Sequence, residues 1–317
     1  MTKEELINII ELFTADTSSY GADLYLIYKI DGVFYYTQPP LEEKELKPKL
    51  LKDYINVLKN MFLNKTDETD FEFIHLNKGE ATDKHTIYHI SYGSIPAAAK
   101  IFNATNADVK EGMEEEFKEK LSDIWGFIIK LGNSEKEITL FKKNYPINLI
   151  RKASTYQLFF KNNALQIFNN DLLKLSHKID VVYINNELIV LDKKEFENHF
   201  EYIAAMEKEA NKKIDTIIDS KIVEDVTKIY DLIKKKSTLK KILNIDQNNP
   251  IFKVEPKKIA TFAKKYKLDI ELNEDKTKIS ITSKKAAEVF VKLLNDDYLI
   301  SELTKLLYDS RGKTKLS

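Results

Sequence analysis

Lys178 to Phe200 reads KIDVVYINNELIVLDKKEFENHF, and how this stretch folds decides the class of the whole chain. Two apolar runs, KIDVVYI and ELIVL, flank Asn185-Asn186. Both central positions of a tight hairpin turn need positive φ, and asparagine tolerates that conformation better than any residue except glycine. The stretch is therefore expected to be strand, two-residue turn and strand, with a helix opening near Lys194.

Upstream the same logic extends the sheet. EITLF, then TYQLFF and ALQIF around Asn162-Asn163, continue an antiparallel meander, and Asp31-Gly32 closes a hairpin between ADLYLIYKI and VFYY. FEFIHL and TIYHISYG read as further strands, while Lys3–Phe13 and Pro48–Leu63 read as helices. The spacing of Met113, Phe117, Leu121, Ile124 and Ile128 predicts a helix over Val109–Leu131, with Gly132 as its C-terminal cap.

Downstream, Phe196, Phe200, Ile203, Met206, Ala210, Ile214 and Ile217 step by three and four, and the rhythm resumes at Ile222, Val226, Ile229 and Ile233. A helix that long outgrows a small core, which argues for a homodimer. Short helices follow over Thr238–Leu243 and Pro256–Lys267, then a hairpin of LDIEL and KISIT, then helices opening at Ser283 and near Tyr298. The expected class is α+β. An antiparallel, meander-rich domain spans 1–193, and 194–317 holds the long helix and a lysine-rich, mainly helical domain with one β-hairpin.

Charge sharpens this division. The chain carries 50 Lys+Arg against 50 Asp+Glu, so its formal net charge is zero. Residues 1–125 nevertheless hold 14 Lys against 23 acids, a net of −9, whereas 202–317 hold 25 Lys+Arg against 18 acids, a net of +7. Within Lys228–Lys267 twelve lysines face only Asp231, Asp246 and Glu255. Such a local field suits a polyanion. The helices there would turn Ile229, Leu232, Ile233, Leu239 and Leu243 inward, and Lys236 would fall in that apolar stripe unless the helix breaks at Ser237-Thr238.

Lys234, Lys235, Lys240 and Lys241 then project outward near a helix junction, and Lys257, Lys258, Lys264 and Lys265 do so from the next helix. Short helix, short helix, basic helix and hairpin is the element order of a winged helix. These eight lysines are the expected DNA-binding set. Arg151 and Arg311 are the chain's only arginines, and lysine contacts phosphate as a point charge rather than reading base edges bidentately, so binding should be largely nonspecific in sequence. The competing reading is a solvated helix face.

Other chemistries are thinly supported. There is no cysteine, which removes disulfides, thiol nucleophiles and cysteine-ligated zinc. No apolar run approaches the roughly 20 residues that cross a bilayer, and a cytoplasmic location is expected. Asp180 with Asp192 and Lys194 has the form of a Mg²⁺-dependent nuclease constellation, in which carboxylates hold the metal and a lysine assists the attacking water. The alternative is that Asp180 closes a hairpin and Asp192 caps a helix. His85 and His89 lack a third ligand nearby, and the glycines form no phosphate loop. No catalytic residue, metal site or cofactor is assigned, and a protein-interaction adaptor is the remaining alternative.

Two stretches together, IDVVYINNELIVLDKKEFENHFEYI and ISITSKKAAEVFVKLLNDDYLISELTKLLYDS, resemble the KwaB-like family of the Kiwa anti-phage defence system. The likeness rests on Ile179-Asp180, the hairpin, Phe196-Glu197 with a following aromatic, Leu293–Asp297, Ser301–Thr304 and Tyr308. Ser310-Arg311-Gly312-Lys313 departs from the Ser-Lys that the family pattern places after the last tyrosine. The resemblance implies a cytosolic DNA-binding effector that acts with a membrane-embedded partner protein, at the inner face of the membrane, against replication or transcription of injected phage DNA.

Overall fold

A computed structural model of the chain describes residues 1–41, 43–64, 70–77, 85–102, 123–145, 149–150, 158–161, 164–167, 172–300 and 307–309. They form two compact units, Met1–Glu201 and Tyr202–Ser317. Together the elements make an α+β protein. Among the described residues no helix is long and apolar enough to cross a membrane.

The first unit opens with α1 (Lys3–Ala15), started by a reciprocal cap: Thr2 Oγ1 accepts from the Glu5 amide and Glu5 Oε2 accepts from the Thr2 amide. Strands β1 (Gly21–Ile30) and β2 (Val33–Thr37) turn at Asp31-Gly32, both with positive φ, as expected for that pair. Then come α2 (Leu46–Phe62), β3 (Glu72–His75), β4 (Thr86–Ser91), α3 (Pro96–Phe102), β5 (Ile124–Gly132) and β6 (Glu137–Lys143). Short pieces follow, β7 (Leu149–Ile150), β8 (Leu158–Lys161), β9 (Ala164–Ile167) and β10 (Leu172–Leu173), paired β7 with β10 and β8 with β9. The Asn162-Asn163 turn lies outside the described residues.

The deciding hairpin is present. β11 (Val181–Ile184) and β12 (Glu187–Val190) pair antiparallel across Asn185 and Asn186, at φ 46° and 64°. They sit in an eight-stranded sheet of order β2-β1-β5-β6-β11-β12-β4-β3, antiparallel except for the β3–β4 pair. One face buries Leu6, Ile10, Phe13, Tyr54, Leu58 and Phe62 of α1 and α2 against Leu24, Leu26, Phe127, Leu140 and Val182. On the other, Phe102, Phe141 and Tyr183 meet Phe196 of α4 (Lys193–His199) and Phe200, the residue that caps it, with neighbouring rings 4.8–6.3 Å apart.

β5 corrects the sequence reading. The helix expected over Val109–Leu131 is a strand from Ile124 on, and residues 109–122 lie outside the described set. Phe127, Ile128 and Ile129 are all buried, because this central strand is covered on both faces and so shows no period-2 alternation. Gly132 ends it in a turn rather than a helix cap: at φ 126°, an added Cβ would fall 1.9 Å from the Lys136 carbonyl oxygen.

The long helix expected from Lys194 is interrupted. α4 ends at His199, and Glu201 takes a left-handed φ of 51° before α5 (Tyr202–Asp219) begins. Phe200 is fully buried between Phe196 and Phe141, and holding its ring there redirects the chain.

In the second unit, α5 turns Tyr202, Met206, Ala210, Ile214 and Ile217 inward against α6 (Thr227–Ile233) and α7 (Lys236–Leu243). Its apolar stripe is thus covered within the unit, and the premise that a second copy must cover it lapses. α8 (Pro256–Lys265), β13 (Glu271–Leu272), β14 (Ile279–Ser280) and α9 (Lys284–Leu294) follow, with Pro256 in the first turn of α8 and Ser283 capping α9 through the Ala286 amide. Val223 bridges β14 at Ile279 in parallel. The helix expected near Tyr298 is instead strand β15 (Tyr298–Ile300), paired with β16 (Leu307–Asp309).

Candidate nucleic-acid interface

The lysine-rich stretch breaks between α6 and α7, but two residues earlier than the sequence suggests. Lys234 ends α6, Lys235 is extended at φ −103° and ψ 115°, and Lys236 starts α7 with no side-chain cap. Thr238, expected to be a cap, is buried with Leu239, Ile242 and Leu243. The reason is packing. An extended residue at 235 rotates α7 so that this set faces α5, and Lys236 leaves the apolar stripe for solvent.

The eight expected lysines divide by what their ammonium groups touch. Lys241 is committed to the Asp297 carboxylate, itself nearly buried, while its backbone carbonyl accepts from Asn295 Nδ2 at 3.0 Å. Lys235 lies 3.7 Å from Glu288 Oε1 on α9. Lys240 is half-buried. Lys234, Lys257, Lys258 and Lys264 are exposed and have no ion pair among the described residues, and Lys265 lies over the Tyr266 ring at 5.1 Å.

The fold orders them as expected: α6, α7, basic α8, then the β13–β14 hairpin. On α8, Ile259 and Ala263 take the buried side, leaving Lys257, Lys258, Lys264 and Lys265 outward. Lys258 also lines a cavity of about 300 Å³ with Phe262, Asp296 and Tyr298. A groove of about 770 Å³ between α8 and the hairpin adds Lys267, Lys276 and Lys285 beside Lys264, with Asp269, Glu271 and Glu274 on its walls. Sequence reading missed those three lysines. Lys267, just past the end of α8, and Lys276 stand in left-handed turns at φ 55° and 58°, and only the fold brings Lys276 and Lys285 to α8.

The nuclease trio has a different arrangement. Asp180 is 1% exposed; its Oδ1 accepts from Lys142 Nζ at 2.5 Å and its Oδ2 from the Lys143 amide at 2.7 Å. Burial holds this carboxyl above its ordinary value, against the lowering by Lys142 and the amide. Asp192 caps α4, accepting from the Glu195 amide at 3.0 Å, and Lys194 is exposed in the first turn. Backbone amides of Leu191 and Asp192 donate to the Asp180 carbonyl at 2.9 and 3.1 Å. The hairpin thus brings the two carboxylates near each other but commits both Asp180 oxygens and Asp192 Oδ1 to structure. Among the described residues no group of three His, Asp or Glu is placed to hold a metal ion. His89 lies 3.1 Å from Glu187 and stacks on Phe73, while His85 is exposed before β4.

Fold and site together define an α+β chain of two compact units, the second bearing exposed lysines on short helices. Residues 121–304, more than half of the chain, match the family model described as Kiwa protein KwaB-like, and the chain belongs to that family. The Kiwa protein KwaB of Escherichia coli O55:H7 (strain RM12579 / EPEC) is 26% identical over 203 residues, covering 62% of this chain and 64% of that protein. The alignment therefore spans less than two thirds of the relative's length. No solved structure matches the chain significantly.

Proposed function

We propose that the chain is an anti-phage defence effector that binds DNA, largely without sequence preference, through the lysines of α6 to α8, and so blocks replication or transcription of injected DNA. The observation that carries this reading is the exposure of Lys234, Lys257, Lys258 and Lys264 without ion-pair partners among the described residues, in a stretch with twelve lysines and three acids. Counterion release by such lysines makes affinity fall with salt. The family resemblance extends the proposal to a cytoplasmic protein that acts with a membrane-embedded partner, and light scattering tests whether it self-associates as a homodimer.

The test is fluorescence anisotropy of a labelled random-sequence duplex across a salt series, with the DNA run afterwards on a denaturing gel with and without Mg²⁺. Binding that weakens steeply with salt, leaves the DNA intact and disappears when Lys234, Lys257, Lys258 and Lys264 are changed to Glu supports the reading. Unaltered binding in that variant sinks the assignment. Mg²⁺-dependent shortening that is lost in Lys194→Ala, an exposed position, would instead revive the nuclease alternative, and the absence of both leaves the adaptor.

A further inference from the structure

The β2-β1-β5-β6 half of the sheet carries a second arrangement, on the face covered elsewhere by α3 and α4. Phe34 on β2, Lys29 on β1, Trp125 on β5 and Lys143 on β6 stand on four neighbouring strands, so aromatic and cation alternate across the sheet. Lys29 and Phe34 are cross-strand partners, and Lys143 lies opposite Gly126, next to Trp125. Lys29 Nζ is 5.1 Å from the Phe34 centroid and 5.8 Å from that of Trp125; Lys143 Nζ is 5.2 Å from Trp125 and 4.8 Å from Tyr145. Two ammonium groups thus share one indole.

Neither Lys29 nor Lys143 has an ion pair among the described residues, and the ammonium of Lys143, a residue 9% exposed, donates to the Asn144 carbonyl at 2.6 Å. The adjacent carboxylate, Glu195, is held instead by the Tyr145 hydroxyl and by His199 Nε2 at 3.2 Å. Burial lowers the Lys143 pKa; the Glu195 and Asp180 charges oppose this, and Lys29 adds a smaller lowering, so the two cations lie within each other's field. Tyr145 is 39% exposed and Trp125 partly so, leaving aromatic surface open beside an exposed ammonium. An open ring next to a cation without a counterion suits a ligand that joins a planar ring to an anion.

We propose that this row binds a nucleotide with an unpaired base: the base stacks on Trp125 and Tyr145, Lys29 contacts its phosphate, and Lys143 supplies positive potential from beneath the rings. The site is separate from the lysines of α6 to α8 and does not depend on their binding duplex DNA. Single-stranded nucleic acid and free mononucleotide share this chemistry, and the test separates them.

Trp125 is the chain's single tryptophan, so its emission reports the site directly. The full chain is titrated with a short oligothymidylate and, separately, with thymidine monophosphate. Saturable quenching by the oligonucleotide alone assigns a strand, and quenching by both assigns a single nucleotide; either supports the proposal. No quenching by either overturns it. So does quenching that survives Lys29→Glu, an exposed substitution whose fold is checked by circular dichroism. Trp125→Phe, followed by anisotropy of the labelled oligonucleotide, should weaken binding about tenfold, within the range expected for loss of base stacking. The variant with Glu at 234, 257, 258 and 264 should keep the quench, so failure of the duplex reading and failure of this one are told apart.

Discussion

At the scale of single residues, Asp180 shows how a carboxylate can look catalytic and be structural. Its two oxygens tie β6 to the strand that starts at Val181, through Lys142 and the Lys143 amide. Asp180→Ala would leave the Lys142 ammonium, 14% exposed, without its counterion, and should lower stability by about 3 kcal/mol, read from the urea midpoint. A near-neutral result would show that the pair is not structural. His199 makes a second prediction. Burial, followed by the Lys143 charge, pushes its pKa below the ordinary value, although Glu195 opposes this. The folded state then favours the neutral ring, while the unfolded histidine titrates near 6.5. The contribution is fully present above about pH 6.5 and is lost as pH falls through the depressed folded value. Comparing urea midpoints at about pH 7.5 and about pH 5.5, His199→Gln should lose less stability on acidification than the parent chain; an equal loss refutes the assignment. Lys241 carries a related lesson: its position at a basic junction was legible in the sequence, but its commitment to Asp297, 56 residues away, was not.

At the scale of elements, local chemistry was legible wherever the backbone demanded it. Asn185-Asn186 and Asp31-Gly32 need positive φ and have it, and Ser283 caps α9 as its residue type suggests. Asn186→Val should therefore cost about 1–2 kcal/mol, because a β-branched residue resists the left-handed conformation, whereas Asn186→Gly should be tolerated. Equal midpoints for the two variants would argue against the turn. Legibility failed where burial erased the pattern. Ile124–Leu131 is apolar almost throughout because both sheet faces are covered, so the helical spacing of Ile124 and Ile128 carried no information. Tyr298–Ile300 offered too few residues for a period to declare itself. The aromatic and lysine row was invisible for another reason: Lys29, Phe34, Trp125 and Lys143 come from separate strands that only the sheet order makes neighbours.

At the scale of the molecule, the acidic start and basic end of the sequence correspond to contiguous compact units, Met1–Glu201 and Tyr202–Ser317. Contiguous units of this size commonly fold on their own. A fragment of residues 202–317 is expected to bind duplex DNA with the salt dependence of the full chain, and one of residues 1–201 is not. Duplex binding confined to the first fragment would relocate the interface. The sheet order has a consequence for how the chain is made. β4 pairs on one side with β3 and on the other with β12, which is the last strand of the sheet in sequence. On the ribosome, β3 and β4 emerge early and must wait until Glu187–Val190 are synthesised before the sheet can close over them. The nascent chain therefore exposes an unfinished edge for about half of the first unit's synthesis, and the Asn185-Asn186 turn sets the moment at which that exposure ends.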